Sequence, residues 1–256
     1  MTNFSINIIS DPVCPWCYIG RKRLDKAIAL YKKVYPDGRR DTFAVTWAAY
    51  YLDPSAPAAG ISFDERHLQK LAASRPDAGA AEVEELARRL RDRMASMGRE
   101  EGVAFSFRGK IGNTRSAHRA IAFGGKTTGR DSSSSSSSWD AQDRFVMALF
   151  AAYFEGAADI TSHADLADVA ASVGLGRAEM LAWLDGGEGG EEVDAQDRAA
   201  RDMGLRGVPY FTVQGRAMDG AREVQDFLEL FVKIKEEEAQ ATQTNIGSAV
   251  ESGLAA

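Results

Sequence analysis

The 256 residues carry 31 basic and 37 acidic side chains, a formal net charge of −6, which excludes the broad cationic surface that phosphate contacts demand; no nucleic-acid partner is expected. A 45% hydrophobic content supports a sizeable core, and no membrane-length apolar run or secretory leader pattern stands out, so no membrane partner and a cytoplasmic, reducing location are expected. The two cysteines are too few for a stapling framework, which leaves reactivity as the better reason for them.

Phe4 to Ser10 places apolar side chains at Phe4, Ile6, Ile8 and Ile9 and predicts a buried strand, while Arg21 to Tyr35 repeats apolar residues at helical spacing. Between them, where strand hands over to helix, lies Cys14-Pro15-Trp16-Cys17. Two residues between cysteines let one helical turn bring the sulfurs within disulfide range. Amides and the positive dipole end at a helix N-terminus stabilise a thiolate, so Cys14 is expected to be the acidic, exposed thiol and Cys17 to face inward. A zinc site would need further ligands, and His67, His118 and His163 are scattered. A pair of inert buried thiols is the other reading, and Pro15 and Trp16 between the cysteines speak against it.

Phe43, Val45 and Trp47 alternate as a second strand, giving a βαβ opening whose site belongs at the C-terminal end of the first strand. Asp53 to Gly60 reads as a loop, and Ser62-Phe63-Asp64-Glu65 as a capping box opening a helix. Ala80 to Glu101 is an amphipathic helix with a solvated charged face. Asn113 caps a helix expected to end at Gly124-Gly125, and Lys126 to Ser138, with its serine run, reads as a disordered loop. Helices are predicted over Trp139 to Glu155, Ser162 to Val173, Ala178 to Leu184 and Glu192 to Met203. Gly186 to Gly190 lacks the residues of a phosphate loop. Tyr210 to Val213 and Arg216 to Met218 predict a hairpin, Glu223 to Lys235 the last helix, and 236–256 a disordered tail.

Asp11 to Gly20 resembles the active-site segment of the DsbA-like thioredoxin family, in particular its FrnE-like branch, which includes the 2-hydroxychromene-2-carboxylate isomerases. The resemblance spans residues 4 to 232. It continues in order through Asn113-Thr114, Ala117-His118-Arg119, Leu149-Phe150, Ala152-Tyr153-Phe154, Asp159-Ile160 and Gly207-Val208-Pro209-Tyr210-Phe211. It implies an α/β thioredoxin-like fold with a helical insertion: a discontinuous domain of residues 1–60 and 190–235, and an insertion over 61–189. It also implies a cis-proline at Pro209 beside the dithiol, with Val208 offering backbone groups to an extended substrate.

The activity implied is thiol-disulfide exchange, with Cys14 as nucleophile, Cys17 as resolving thiol, and Pro15, Trp16, Val208 and Pro209 as substrate contacts. Thiol- or disulfide-containing proteins or small molecules would be the partners of a monomer or homodimer. No metal or organic cofactor is required, and glutathione is admissible as co-substrate. Two alternatives stay open: a glutathione-dependent isomerase, whose relatives usually carry serine at the position of Cys14, and a redox-inactive binding or chaperone module. For His118 and Arg119 a structural or capping role is favoured over catalysis.

Overall fold

Alternation sets the first element: Phe4, Ile6 and Ile8 are buried on one side of strand β1 (Asn3–Ser10), while Asn3 and Ser5 face solvent. The structure, a computed structural model, describes residues 1–126 and 138–253. Helix α1 (Pro15–Val34) follows, and β2 (Thr42–Ala49) returns parallel to β1, with Asn3 opposite Thr42 and Ser10 opposite Ala49. A hairpin of β5 (Tyr210–Val213) and β6 (Arg216–Asp219) pairs antiparallel with the other side of β1, giving the order β2-β1-β5-β6. Its two-residue turn has φ 46° at Gln214 and 77° at Gly215, the doubly positive pair that a tight hairpin needs.

The last helix, α9 (Val224–Gly253), lays Phe227, Phe231 and Ile234 into the core. The Phe231 ring lies 5.2 Å from Phe4 and 5.8 Å from Tyr31 of α1, and each such side chain contributes roughly 1.5–3 kcal/mol on burial. The helix runs on past Lys235, where the sequence predicted a disordered tail. Glutamates, alanines and glutamines there are strong helix formers that need no apolar stripe. Glu237 pairs with Arg216, and the Thr2 hydroxyl donates to Glu238 at 2.5 Å.

Among the described residues, seven α-helices lie between β2 and β5: α2 (Phe63–Ser74), α3 (Ala80–Glu101), α4 (Arg115–Lys126), α5 (Ser138–Phe150), α6 (His163–Ser172), α7 (Arg177–Asp185) and α8 (Gly190–Asp202). Ser62 caps α2, its hydroxyl accepting from the Glu65 amide at 3.1 Å, as the capping box predicts. Helix α4 ends at Lys126, one residue past the predicted Gly124-Gly125. Those glycines let α5 approach, since a Cβ on Gly124 would sit 3.2 Å from the Gln142 Cα. Of the serine-rich loop predicted over Lys126 to Ser138, residues 127–137 lie outside the described residues, while Lys126 ends α4 and Ser138 opens α5. Helix α5 passes into a π-helical turn over Ala151–Glu155, and a two-residue pairing of β3 (Ile61–Ser62) with β4 (Lys110–Ile111) was too short for periodicity to announce. Along the outer edge of β2, the amides of Trp47, Ala49 and Tyr51 donate to side chains of Gln142, Gln196 and Asp197 at 3.2, 2.9 and 2.8 Å. Helices α5 and α8 thereby satisfy the outward-facing amides at the C-terminal end of the strand and just beyond it.

Candidate active site

Strand β1 ends at Ser10, and the turn Asp11 to Val13 delivers Cys14 as the N-cap of α1, with an extended backbone (φ −88°, ψ 111°). Pro15 takes the first helical position, where its missing N–H costs nothing and its fixed φ suits the helix. The Cys14 amide donates to the Asp11 carbonyl at 2.9 Å, and the Cys14 carbonyl accepts from the amides of Cys17 and Tyr18 at 3.1 and 3.4 Å. Both thiols are free, and the Cys17 thiol is hydrogen-bonded to Cys14.

The inward-facing Cys17 is fully buried, but Cys14 is only 3% exposed rather than open to solvent as expected. The reason lies 194 residues further on: the Cys14 thiol donates to the Val208 carbonyl at 3.4 Å, so the Val208-Pro209 loop covers it. That peptide bond is cis. The structure thus brings Cys14, Cys17, Pro15, Val208 and Pro209 together, and leaves Trp16 on the outside, 37% exposed. Burial, and then the neighbouring Cys14, push the Cys17 thiol well above the ordinary cysteine value.

Behind the dithiol lies a buried polar group that the motif alone marks only as its first residue. Asp11 is fully buried; its carboxylate accepts from the amides of Leu52 at 2.8 Å and Val13 at 3.4 Å, and from the Thr114 hydroxyl. These bonds tie the turn before Cys14 to the segment after β2. Burial nevertheless outweighs them and pushes Asp11 up to about 7. His118 stands 3.8 Å away, its Nε2 donating to the Tyr50 carbonyl at 3.3 Å, and burial pushes it down to about 4. At neutral pH it is uncharged and gives Asp11 no counter-ion. The hydroxyl of Tyr153, whose titration the Asp11 charge opposes, is buried without a hydrogen-bond partner among the described residues.

His118 therefore supports the site from behind, whereas Arg119 points elsewhere. Its guanidinium donates to the carbonyls of Trp183 and Leu184, each at 2.8 Å, and of Glu188 at 2.7 Å, closing the C-terminal end of α7. Tyr18, one residue past Cys17, donates from its hydroxyl to Glu155 at 2.6 Å, so the π-helical turn is pinned to the dithiol helix. Tyr153 and Glu155 lie in the stretch around Ala152-Tyr153-Phe154, and only the three-dimensional arrangement shows that this stretch touches the site.

A family model described as the DSBA-like thioredoxin domain matches residues 5–232. The chain belongs to that family. Among solved structures, a probable DsbA oxidoreductase from Streptomyces coelicolor is 24% identical, with 91% of each chain covered and a TM-score of 0.71. A 2-hydroxychromene-2-carboxylate isomerase is 14% identical over 93% of this chain and 98% of that one, with a TM-score of 0.61. The cytosolic disulfide reductase DsbM from Pseudomonas aeruginosa is 13% identical over 93% and 99%, with a TM-score of 0.53. A comparison with curated proteins finds no match. The DsbA-like assignment agrees with the sequence resemblance, and these solved structures share the fold. Among the described residues no helix is long and apolar enough to cross a membrane.

Proposed function

We propose that this DsbA-like chain is a thiol-disulfide oxidoreductase in which Cys14 exchanges and Cys17 resolves. The observation that carries the reading is the free dithiol at the start of α1, with the Cys14 thiol held against the Val208 carbonyl at 3.4 Å. A substrate sulfur approaching Cys14 replaces the thiol's contact with the Val208 carbonyl. Attack forms a mixed disulfide and releases one substrate thiolate. The neighbouring Cys14 is part of what holds the Cys17 proton on. Once Cys14 is tied into the mixed disulfide, that contribution vanishes, Cys17 ionises more readily, and it attacks the Cys14 sulfur to release the second half of the substrate.

Pro15, Trp16, Val208 and Pro209 are assigned to substrate contact around this centre. Residues 1–60 and 190–235 form the thioredoxin-like domain on this reading, and 61–189 the helical insertion. A reducing compartment with glutathione as co-substrate fits a dithiol of this kind. The expected result is that Cys14→Ser abolishes exchange with small disulfides, while Cys17→Ser accumulates a covalent adduct visible as a mass increase of the intact protein. Retained turnover in Cys14→Ser would refute the assignment. Equilibration of the wild-type pair with glutathione then gives its potential and the direction of electron flow.

A further inference from the structure

Strand β1 departs from its own pattern at its last residue. Phe4, Ile6 and Ile8 put apolar side chains on the face that packs with Cys17, Tyr18 and Leu24 of α1. The next position of that alternation is Ser10. Ser10 is 4% exposed, and its hydroxyl is buried with no hydrogen-bond partner among the described residues. Its main chain is in order, since the Ser10 carbonyl accepts from the Tyr50 amide at 3.0 Å. A hydroxyl taken out of water and left unpaired carries a penalty that alanine at the same position would avoid.

Alternation turns that hydroxyl toward the first turn of α1, and the group it meets there is the Cys17 sulfur. Together with the Asp11 amide it favours the ionised form of Cys17. With both thiols free, the fully buried Cys17 is bonded to Cys14 and keeps its proton, so neither donor has a charge to receive. Asp11, His118 and Tyr153 lie behind the dithiol, and none of the three is a cation at neutral pH. Arg21, one turn further along α1, is held by Asp25 and Asp143. A charge that appears on Cys17 is therefore met by hydrogen-bond donors rather than by a counter-ion.

We propose that the Ser10 hydroxyl and the Asp11 amide form a thiolate hole for Cys17, two donors that take up its charge only while the mixed disulfide on Cys14 is being resolved. This rests on the exchange reading above and adds a catalytic residue to it. In the mixed disulfide the Cys14 sulfur is bonded to the substrate sulfur and Cys17 is still a thiol. Cys17 gives its proton to water, Ser10 and Asp11 donate to the thiolate, and it attacks the Cys14 sulfur. The Cys14–Cys17 bond forms as the bond from Cys14 to substrate breaks, and the substrate leaves as a thiolate that takes a proton from water. The protein is thereby oxidised by two electrons and the disulfide substrate reduced to two thiols. In the opposite direction an incoming thiolate attacks Cys14 and expels Cys17, and the same donors receive the charge of the leaving group.

The test mixes the reduced full-length protein with excess 2-hydroxyethyl disulfide, quenches with acid and reads the intact mass. Attack is proportional to the disulfide concentration and resolution is independent of it, so the two steps separate. Ser10→Ala should leave attack unchanged and slow resolution about threefold at neutral pH. Losing one donor raises the Cys17 pKa by about one unit, which lowers the thiolate population about tenfold, while the more basic thiolate attacks about threefold faster. The pH–rate profile of resolution should move up by that unit; Asp11 titrates in the same interval in both proteins, so the ratio of their rate constants removes it. Opening of the oxidised protein by glutathione should slow to the same degree, leaving the equilibrium with glutathione where it was. Ser10→Thr, which keeps the hydroxyl, should behave as wild type, and Ser10→Ala should melt no lower than wild type because it removes an unpaired buried group. Unchanged resolution in Ser10→Ala would overturn the proposal, as would attack slowed as much as resolution, or a threonine variant as slow as the alanine one. A melting temperature lost along with the resolution rate would overturn it too, by making the hydroxyl structural. A wild-type protein that forms neither adduct nor disulfide would instead overturn the exchange reading on which the proposal rests.

Discussion

Two buried aspartates sit at opposite ends of the same pair of parallel strands, and they are in opposite states. Asp41, just before β2, is 1% exposed and receives the Thr2 amide at 2.6 Å, the Tyr31 hydroxyl at 2.8 Å and the Lys235 ammonium at 2.6 Å. Burial alone would raise it, but Lys235 and the two neutral donors hold it below the usual carboxylate range. Asp11, just after β1, is equally buried and has no cation in hydrogen-bond contact among the described residues, so burial pushes it up to about 7. One end of the sheet is tied by a satisfied charge. The other, beside the thiols, keeps a carboxyl whose charge is costly at the pH where thiol chemistry runs.

The largest effect expected from that difference is in the pH dependence of stability. Asp11 has a folded value of about 7 against 3.8 unfolded, so between those values the folded state holds a proton that the unfolded state has released. Stability from this group is therefore full below the unfolded value and falls as pH rises through the window. The difference in unfolding free energy between wild type and Asp11→Asn should shift by about 4 kcal/mol against wild type from pH 4 to 8. His118 gives the opposite slope below its unfolded value of 6.5, since its folded value is about 4. The difference between the two proteins removes that contribution. Urea titrations at a series of pH values measure it, and a flat difference would mean that Asp11 stays ionised throughout.

At the other end, Asp41→Asn leaves the largely buried Lys235 ammonium without its partner and should cost about 3 kcal/mol near neutral pH. Its pH dependence runs the other way: the wild-type advantage is present above the unfolded aspartate value and is lost as pH falls through the lower folded one. The exchange rate per folded molecule should not move. A third change places a cation at the end that lacks one. Trp16→His stabilises the Cys14 thiolate and with it the reduced form, raising the potential by about 30 mV, equivalent to ~1.4 kcal/mol. Glutathione equilibration reads it, and an unchanged or lower potential would give Trp16 to substrate contact alone. The smallest effect is expected from truncation after Lys235, which removes the contacts of Glu237 and Glu238 with Arg216 and Thr2. A loss of no more than about 1 kcal/mol in urea unfolding is expected.

The parts of the fold legible in the sequence are those where one local pattern decides the outcome. Alternation at Phe4, Ile6 and Ile8, the capping box at Ser62 and the Gln214-Gly215 turn each required only neighbouring residues. What escaped depends on distant partners. Cys14 is covered because Val208 folds over it, and α9 outruns its apolar stripe on helix propensity and contacts with Thr2 and Arg216. The dithiol was legible from spacing, and Val208 and Pro209 from the family resemblance. Asp11 was visible only as a letter in a motif, because its titration depends on burial that no spacing encodes.

The three side chains that cap the edge of β2 have a consequence for how copies of the protein meet. An uncovered outer strand offers a row of N–H and C=O groups to any passing chain, which is how sheets grow into aggregates. Here Gln142, Gln196 and Asp197 already occupy the amides of Trp47, Ala49 and Tyr51. Strand addition is therefore opposed along the C-terminal half of β2, while the opposite edge is β6, four residues long and bearing Arg216 and Asp219. Self-assembly through the sheet is thus confined to the N-terminal half of β2 and the short β6 edge.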